Sequence, residues 1–309
     1  HLTSLNTKEE VENPDDVGDI NSKLLNRLLR GSFPDVGPNQ EVLHVIPIGY
    51  HVDGMTGIRN PVGLHGTSVE VEAHVVMGES VALKNTVKVI EATKASVKSL
   101  VLHSLASAEA TLTGDEKEMG VVVVDIGGGT TEVAMISLGG IVSNQSIRIA
   151  GNELDEAIIQ HLKQEHGVAV GIRTAENIKM KLGSAYPLEK ELVAEVNASD
   201  LATGLPRTVN FTTTEIREAM AFPLMAIIDA IKVTLDSTPP ELAADVMERG
   251  IMLTGGGALL VGLVERLTEE IGMKVLMAPD PLNSVVLGAG KALEEIDRFG
   301  TIFFGSNQE

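Results

Sequence analysis

The sequence predicts an α/β fold large enough for about two domains. Three observations predict it. The first is Val-Val-Val-Val-Asp-Ile-Gly-Gly-Gly-Thr-Thr at 121–131, an apolar β-branched run that closes on an acid, three glycines and two hydroxyl residues. The second is Ile-Met-Leu-Thr-Gly-Gly-Gly-Ala-Leu-Leu at 251–260, again a strand pattern followed by three glycines. The third is size: 309 residues with 43% hydrophobic content are ample for a core.

Around the first stretch the chain reads as a hairpin. A second strand pattern spans 132–138, and Gly139-Gly140 turns it into a third at 141–149. Glycines in such a turn let backbone N–H groups approach an anion without a Cβ in the way. Thr130 and Thr131 add hydroxyl donors, and Asp125 is suited to a divalent cation, directly or through water. The chemistry fits a phosphate-binding hairpin; the competing reading is a plain glycine turn with a solvated Asp. A P-loop would need Gly-Lys-Ser/Thr opening a helix, and a dinucleotide fingerprint would also open a helix, whereas here a strand follows. After Gly255, Gly256 and Gly257 a helix is predicted, with Ala258, Leu259, Val261, Leu263, Val264 and Leu267 apolar. Its N-terminus would offer unpaired N–H groups. Together the two units suggest a nucleotide held between two loops.

Composition excludes several classes. A net charge of −19 and a pI near 4.8 argue against general nucleic-acid binding and against whole-molecule attraction to anionic lipid. The absence of cysteine excludes disulfides and thiolate metal sites. No apolar run approaches the ~18 residues of a membrane span, and no signal peptide is visible. The first residue is His1 rather than Met, so a processed or truncated chain is expected.

In chain order, residues 1–40 are polar and broken by Pro14, Gly31, Pro34 and Pro38, with a short helix predicted at 21–29 on Leu24, Leu25, Leu28 and Leu29. A strand is predicted at 41–46, ended by Pro47, then a strand end and turn at 50–54, a loop at 58–66 and an alternating strand at 69–76. His44, His51, His65 and His74 fall here at spacings that match no familiar metal pattern, and read as surface or packed residues. A helix at 81–95, a short strand at 100–102 and a small-residue helix at 104–112 follow, then a polar linker at 113–118. Beyond the hairpin, Asn152 is a candidate cap for a helix to about His166, and Thr174 for the next, whose Glu176 and Lys179 share a face away from Ala175, Ile178 and Leu182. Strands are predicted near 191–196 and 208–212. A long helix at 214–235 is predicted to kink at Pro223, and another opens at Pro239-Pro240 and closes at Gly250. A strand at 273–277, a small-residue turn with Gly288 and Gly290, a last helix and an apolar tail at 299–304 complete the chain.

Val-Asp-Ile-Gly-Gly-Gly-Thr-Thr at 124–131 followed by Leu-Thr-Gly-Gly-Gly-Ala-Leu-Leu at 253–260 resembles the actin-like ATPase superfamily. Residues of about 119–297 resemble the MreB family of bacterial actins more narrowly. The matching text includes Thr-Glu-Val-Ala at 131–134, Leu-Asp-Glu-Ala-Ile-Ile at 154–159, Gly-Ser-Ala-Tyr-Pro at 183–187 and Pro-Pro-Glu-Leu-Ala at 239–243. Residues of about 41–118 are instead similar to the division actin FtsA, through Glu-Val-Leu-His-Val-Ile-Pro at 41–47, Asn-Pro-Val-Gly-Leu at 60–64 and Leu-Ala-Ser-Ala-Glu-Ala at 105–110. A natural intermediate and a fusion both account for that pairing.

The resemblance implies an actin-like (ribonuclease H-like) two-lobed fold whose N-terminal lobe is incomplete and carries an FtsA-type small subdomain. It divides the chain into 1–68, the small subdomain; 69–118, the remainder of the first lobe; and 119–309, the second lobe, with its own small subdomain at about 174–245. The implied ligands are ATP or ADP with Mg²⁺. Asp125 would sit near the Mg²⁺, through water. Gly127, Gly128, Gly129 and Thr130 would hold the β- and γ-phosphates, and Gly255, Gly256 and Gly257 would approach the adenosine and α-phosphate side. Glu176 and Lys179 match the ribose and adenine contacts. Two departures bear on hydrolysis. The first phosphate loop, an Asp-x-Gly strand hairpin, has no counterpart in residues 1–40. Where relatives orient the attacking water with Gln or Glu before Pro, this chain has His103-Ser104. FtsA's C-terminal amphipathic anchor is not recognisable either.

Three readings follow. The first is an actin-like ATP-binding protein that self-associates head to tail into filaments organising cell shape or division, a weak ATPase, with nucleotide state biasing lobe closure. The second, favoured by His103 and the missing loop, is an FtsA-like non-hydrolysing adaptor for division or wall-synthesis proteins. The third is another member of the superfold, a sugar kinase or chaperone ATPase. The first two imply a cytoplasmic protein, with peripheral contact at the inner face of the membrane, and no nucleic-acid partner.

Overall fold

The computed structural model describes residues 2–13, 18–58, 60–137, 139–238 and 240–294. The chain opens with β1 (Leu2–Glu12), β2 (Gly18–Asp19), α1 (Ser22–Gly31), β3 (Gln40–Val52), β4 (Met55–Ile58), β5 (His65–Gly66) and β6 (Ser68–Glu79). Four of these strands form an antiparallel sheet in the order β1-β6-β3-β4. Helix α1 covers one face, with Leu24, Leu25, Leu28 and Leu29 packed on Val45, Tyr50, Val52, Val69 and Val71. The Asn21 side chain caps that helix by accepting from the Leu24 N–H at 3.0 Å.

Two expectations are corrected here. Residues 2–12 form a strand rather than an uninformative segment, paired with β6 along its whole length. Pro47 does not end a strand: β3 runs on to Val52, and Pro47 sits at a register shift against β6, where a residue without an N–H is tolerated. Strand β6 (Ser68–Glu79) is an inner strand of this sheet, between β1 and β3.

Next come α2 (Ser80–Glu91), α3 (His103–Thr111), α4 (Gly114–Met119), β7 (Val121–Ile126), β8 (Thr131–Ser137) and β9 (Gly140–Ile147). They are followed by α5 (Gly151–His166), β10 (Val168–Ala169), α6 (Ile172–Leu182), β11 (Val193–Asp200), β12 (Pro206–Thr212), α7 (Thr213–Ala219) and α8 (Ala221–Asp236). The chain continues through α9 (Pro240–Arg249), β13 (Ile251–Thr254), a 3₁₀ turn (Gly256–Leu259), α10 (Leu263–Ile271), β14 (Val275–Met277) and α11 (Ser284–Glu294).

A five-stranded sheet in the order β14-β13-β7-β8-β9 is the core. Val122, Val124, Ile126 and Met135 face Leu154 and Ile158 of α5 and Ile227 and Ile231 of α8. Val121, Val123, Ala134 and Ile136 face Leu105 and Ala108 of α3 on the other side. Burial on both faces is why β7 reads as an unbroken Val run. Ile46 and Val76 of the first sheet join that second cluster, and a Cβ on Gly140 would collide with Ile46. A three-stranded sheet, β10-β11-β12, lies beside α6 and α7.

Local corrections have physical causes. The linker at 113–118 is α4, nucleated by a capping box of Thr113 and Glu116. Residues 100–102 form no strand. The long helix is two, α7 and α8, broken at Met220, and Pro223 lies in the first turn of α8, where no donor is needed. Helix α5 starts at Gly151, so Asn152 lies within its first turn; α6 starts at Ile172, ahead of Thr174. Gly288 and Gly290 lie inside α11, not in a turn. The apolar tail at 299–304, Leu138 and Pro239 lie outside the described residues.

Candidate functional site

Strands β7 and β13 are parallel neighbours with Asp125 opposite Thr254, so both triple-glycine loops open at one edge of the sheet. In open α/β sheets that crevice beyond the strand ends is where ligands lie. The two sets of glycines are there for different reasons. Gly255 has φ +84°, and a Cβ on it would lie 2.5 Å from Asp125 Oδ1; one on Gly257 would collide with Ile126. These two glycines are demanded by the apposition of the second loop to the first. At Gly128 and Gly129 a Cβ would meet only the Asn152 side chain, at 3.6 and 3.8 Å. Packing does not require glycine there, and its effect is to leave bare backbone.

The hairpin turn closes through the Gly127 N–H to the Thr130 carbonyl, 2.9 Å. It is tied to the start of α5: Gly151 N–H donates to the Gly127 carbonyl at 3.1 Å, and Asn152 N–H to the Gly128 carbonyl at 2.7 Å. The second loop is tied to the chain beyond β14 by the Gly255 N–H to the Pro281 carbonyl, 2.9 Å. It does not open an α-helix. One 3₁₀ turn follows and α10 starts only at Leu263, so the helix-terminus argument does not apply at Gly255.

Between the loops lies a cavity of about 740 Å³, within the range of small-molecule sites. His103, Asp125, Gly127, Gly128, Gly129, Thr130, Glu176, Lys179, Gly255, Gly256 and Gly257 all line it. Residues not expected at the site also line it. Glu132, Asn152 and Asp155 are polar, and Met180, Leu260, Val261 and Leu282 make an apolar wall where α6 meets the segment after the second loop.

Asp125 is 6% exposed rather than solvated, and its Oδ2 accepts from the Ser107 hydroxyl at 2.6 Å. Burial raises its pKa, against lowering by that hydrogen bond and by His103. Glu132 stands opposite Asp125 on β8 and is 7% exposed. Burial raises its pKa too, His103 lowers it and Asp125 raises it further. Lys179 is committed: its Nζ lies 2.9 Å from Asp155 Oδ1 and donates to the Gly151 carbonyl at 2.8 Å. Asp155 is buried, and its pKa is raised by burial, lowered by Lys179 and raised by Glu176. The imidazole of His103 is largely exposed, with Nδ1 3.7 Å from Glu132 Oε1. Among the described residues no three His, Cys, Asp or Glu side chains converge as a self-sufficient metal site. A carboxylate that holds a hydrated Mg²⁺ whose coordination phosphates complete is compatible with that geometry.

Comparison with known proteins agrees with the geometry. The family described as MreB/Mbl protein matches residues 69–301. The SHS2 domain inserted in FtsA matches residues 1–77. The cell shape-determining protein MreB of Escherichia coli K12 is 51% identical over 185 residues, covering 60% of this chain and 53% of that protein. Mbl of Bacillus subtilis 168 is 42% identical over 179 residues, 58% of this chain and 54% of that protein. The chain thus spans about half the length of the curated relatives it matches. Among solved structures, MreB5 of Spiroplasma citri bound to ADP superposes with a TM-score of 0.66 at 33% identity, covering 71% of this chain and 66% of that one. The MamK double helical filament, at 22% identity, TM-score 0.59 and coverage of 71% and 66%, shares the fold. The fold is actin-like.

Proposed function

The chain belongs to the MreB/Mbl family, and from that premise we propose that it is an actin-like cytoskeletal protein. In this reading it binds ATP or ADP with Mg²⁺ between its two glycine loops and self-associates into filaments that organise cell shape. The observation that carries the reading is the cavity onto which both loops open. The bare N–H groups around Gly128 and Gly129 would receive phosphate oxygens, with Thr130 beside them. Asp125 would hold the hydrated cation, which neutralises phosphate charge when bound. Glu176 would meet the ribose. Lys179, fixed by Asp155 and the Gly151 carbonyl, would hold α6 against α5 and so shape the nucleoside end. Gly255, Gly256 and Gly257 would pass the α-phosphate side, and Met180, Leu260 and Val261 would give the base an apolar wall. His103 would occupy the water-facing position.

MreB5 of Spiroplasma citri, which shares the fold at 33% identity, has a structure bound to ADP, and that supports nucleotide binding. The match of residues 1–77 to the FtsA-inserted SHS2 domain favours a second reading, a scaffold for division or wall-synthesis proteins at the inner membrane face. No helix among the described residues is long and apolar enough to cross a membrane. Sedimentation with electron microscopy and a phosphate-release assay separate the two. Pelleting filaments in ATP and Mg²⁺ support the first reading. ATP binding with neither pelleting nor phosphate release supports the scaffold.

A further inference from the structure

Helix α6 carries two sets of cavity-lining residues. Glu176, Met180 and Gly183 line the cavity between the glycine loops. Thr174, Ile178 and Lys181 line a second cavity, of about 370 Å³, between α6 and β11. The second set repeats at the same helical spacing but two residues out of step, so it lies on nearly the opposite face. The function proposed above gives this second cavity no task. Its volume falls at the lower end of small-molecule sites.

The second cavity has an apolar floor and a charged rim. Ile178 and Leu182 belong to the main core and are each 2% exposed, and Val196 of β11 packs against that core. At the rim, Lys181 comes from the helix and Glu195 from the strand, and both are exposed. Among the described residues neither has an ion-pair or side-chain hydrogen-bond partner. Lys179, two positions back on the same helix, is by contrast committed to Asp155 and the Gly151 carbonyl. Such a rim sorts ligands. A simple anion meets Glu195 as well as Lys181, and a simple cation meets the reverse. An uncharged apolar molecule desolvates both charges without return. A zwitterion satisfies both.

We propose that the groove between α6 and β11 is a second ligand site, for a small zwitterion with an apolar body, the chemistry of a free aliphatic amino acid. The ligand's carboxylate pairs with Lys181, its ammonium with Glu195, and its side chain covers Ile178, Leu182 and Val196. A ligand seated there bridges α6 to β11 and holds the helix whose other face carries Glu176 and Met180. Two ligands that order the same helix bind cooperatively. Occupancy of the groove therefore tightens nucleotide binding, and nucleotide tightens the amino acid by the same factor. That coupling, unlike the site itself, rests on reading the main cavity as the nucleotide site.

The test is calorimetric titration of L-leucine into the 309-residue chain, with 4-methylpentanoate and 3-methylbutylamine as probes that each lack one of its charges. Wild type should bind leucine with a Kd on the order of 1 mM or tighter, and either probe at least ~tenfold more weakly. Lys181→Met and Glu195→Gln should fold as wild type does by circular dichroism, since neither side chain has a partner to lose. Each should weaken leucine by roughly tenfold. Saturating leucine should tighten ATP binding with Mg²⁺ about threefold in wild type, and in neither variant. No saturable leucine binding by folded wild type would overturn the proposal. So would a singly charged probe that binds as tightly as leucine, or leucine binding unaffected in both variants. Leucine binding that leaves ATP affinity unchanged would overturn the coupling. Wild type that binds leucine but no ATP would remove the nucleotide reading and uphold the second site, so the two failures are distinguishable.

Discussion

A Cβ placed on Gly288 of α11 would collide with the carbonyl oxygen of Ala106 in α3 and lie 3.0 Å from its Cα. The two helices pack backbone to backbone on the face of the main sheet that α3 covers. Gly288→Ala must therefore push the helices apart, and should destabilise the chain by about 3 kcal/mol in urea unfolding. A Cβ on Gly290, in the same helix, would have nothing within 4 Å. Gly290→Ala should be neutral or stabilising by up to ~1 kcal/mol. Equal effects at the two positions would contradict the packing.

That contrast shows what the sequence conveys and what it does not. The small residues of α3 announce a close neighbour, but nothing local says that Gly288 is that neighbour, and two glycines close together suggest a turn. The Val run of β7 and the paired triple-glycine stretches are legible because each is a local pattern with few alternative meanings. Strand β1 is not, because most of its residues are exposed and even its inner positions are only half-buried, so no apolar alternation marks it. Pro47 misleads because its bulge is set by pairing with β6. At the site, Asp125 and the glycines can be read directly. Glu132 and Asp155 become visible only once tertiary burial makes their charges costly.

The two glycine loops should respond differently to the same substitution. Gly255→Ala meets positive φ, Asp125 and the Ile126 carbonyl at once, and should cost about 2–4 kcal/mol of stability. Gly128→Ala meets only ordinary contact with Asn152, and its unfolding midpoint should stay within the ~0.5 kcal/mol range of neutral substitutions. Denaturant melts of the two variants check this, and a folding defect in Gly128→Ala as large as that in Gly255→Ala would contradict the assignment.

Lys179 and Asp155 should behave as one buried unit. Lys179→Met leaves the Asp155 carboxylate buried without its counter-ion, and should cost about 3 kcal/mol. Adding Asp155→Asn removes the orphaned charge and should restore most of the loss. A double-mutant cycle showing simple additivity would mean the pair is not coupled.

His74 should give the first sheet a distinct acid sensitivity. Its Nδ1–H donates to Asn6 Oδ1 at 2.7 Å, and burial lowers its pKa from 6.5 to about 4. Between those values the unfolded chain binds the extra proton, so stability rises with pH. Stability that is full above pH 6.5 is lost as pH falls toward 4, roughly 3 kcal/mol in all. His74→Gln should flatten that part of the stability profile relative to wild type. A parallel profile would show that His74 does not titrate this way.

The measurement that bears most directly on the central claim is equilibrium binding of ATP with Mg²⁺ to wild type and to Gly128→Val. The valine adds bulk to the first loop where it lines the cavity, at a position where a Cβ meets only ordinary contact with Asn152. The account predicts saturable wild-type binding with a Kd on the order of micromolar, and its loss in a variant that remains folded. Equal binding by both proteins would mean that the nucleotide does not lie on the glycine hairpin. No binding by folded wild type would mean that the cavity is not a nucleotide site.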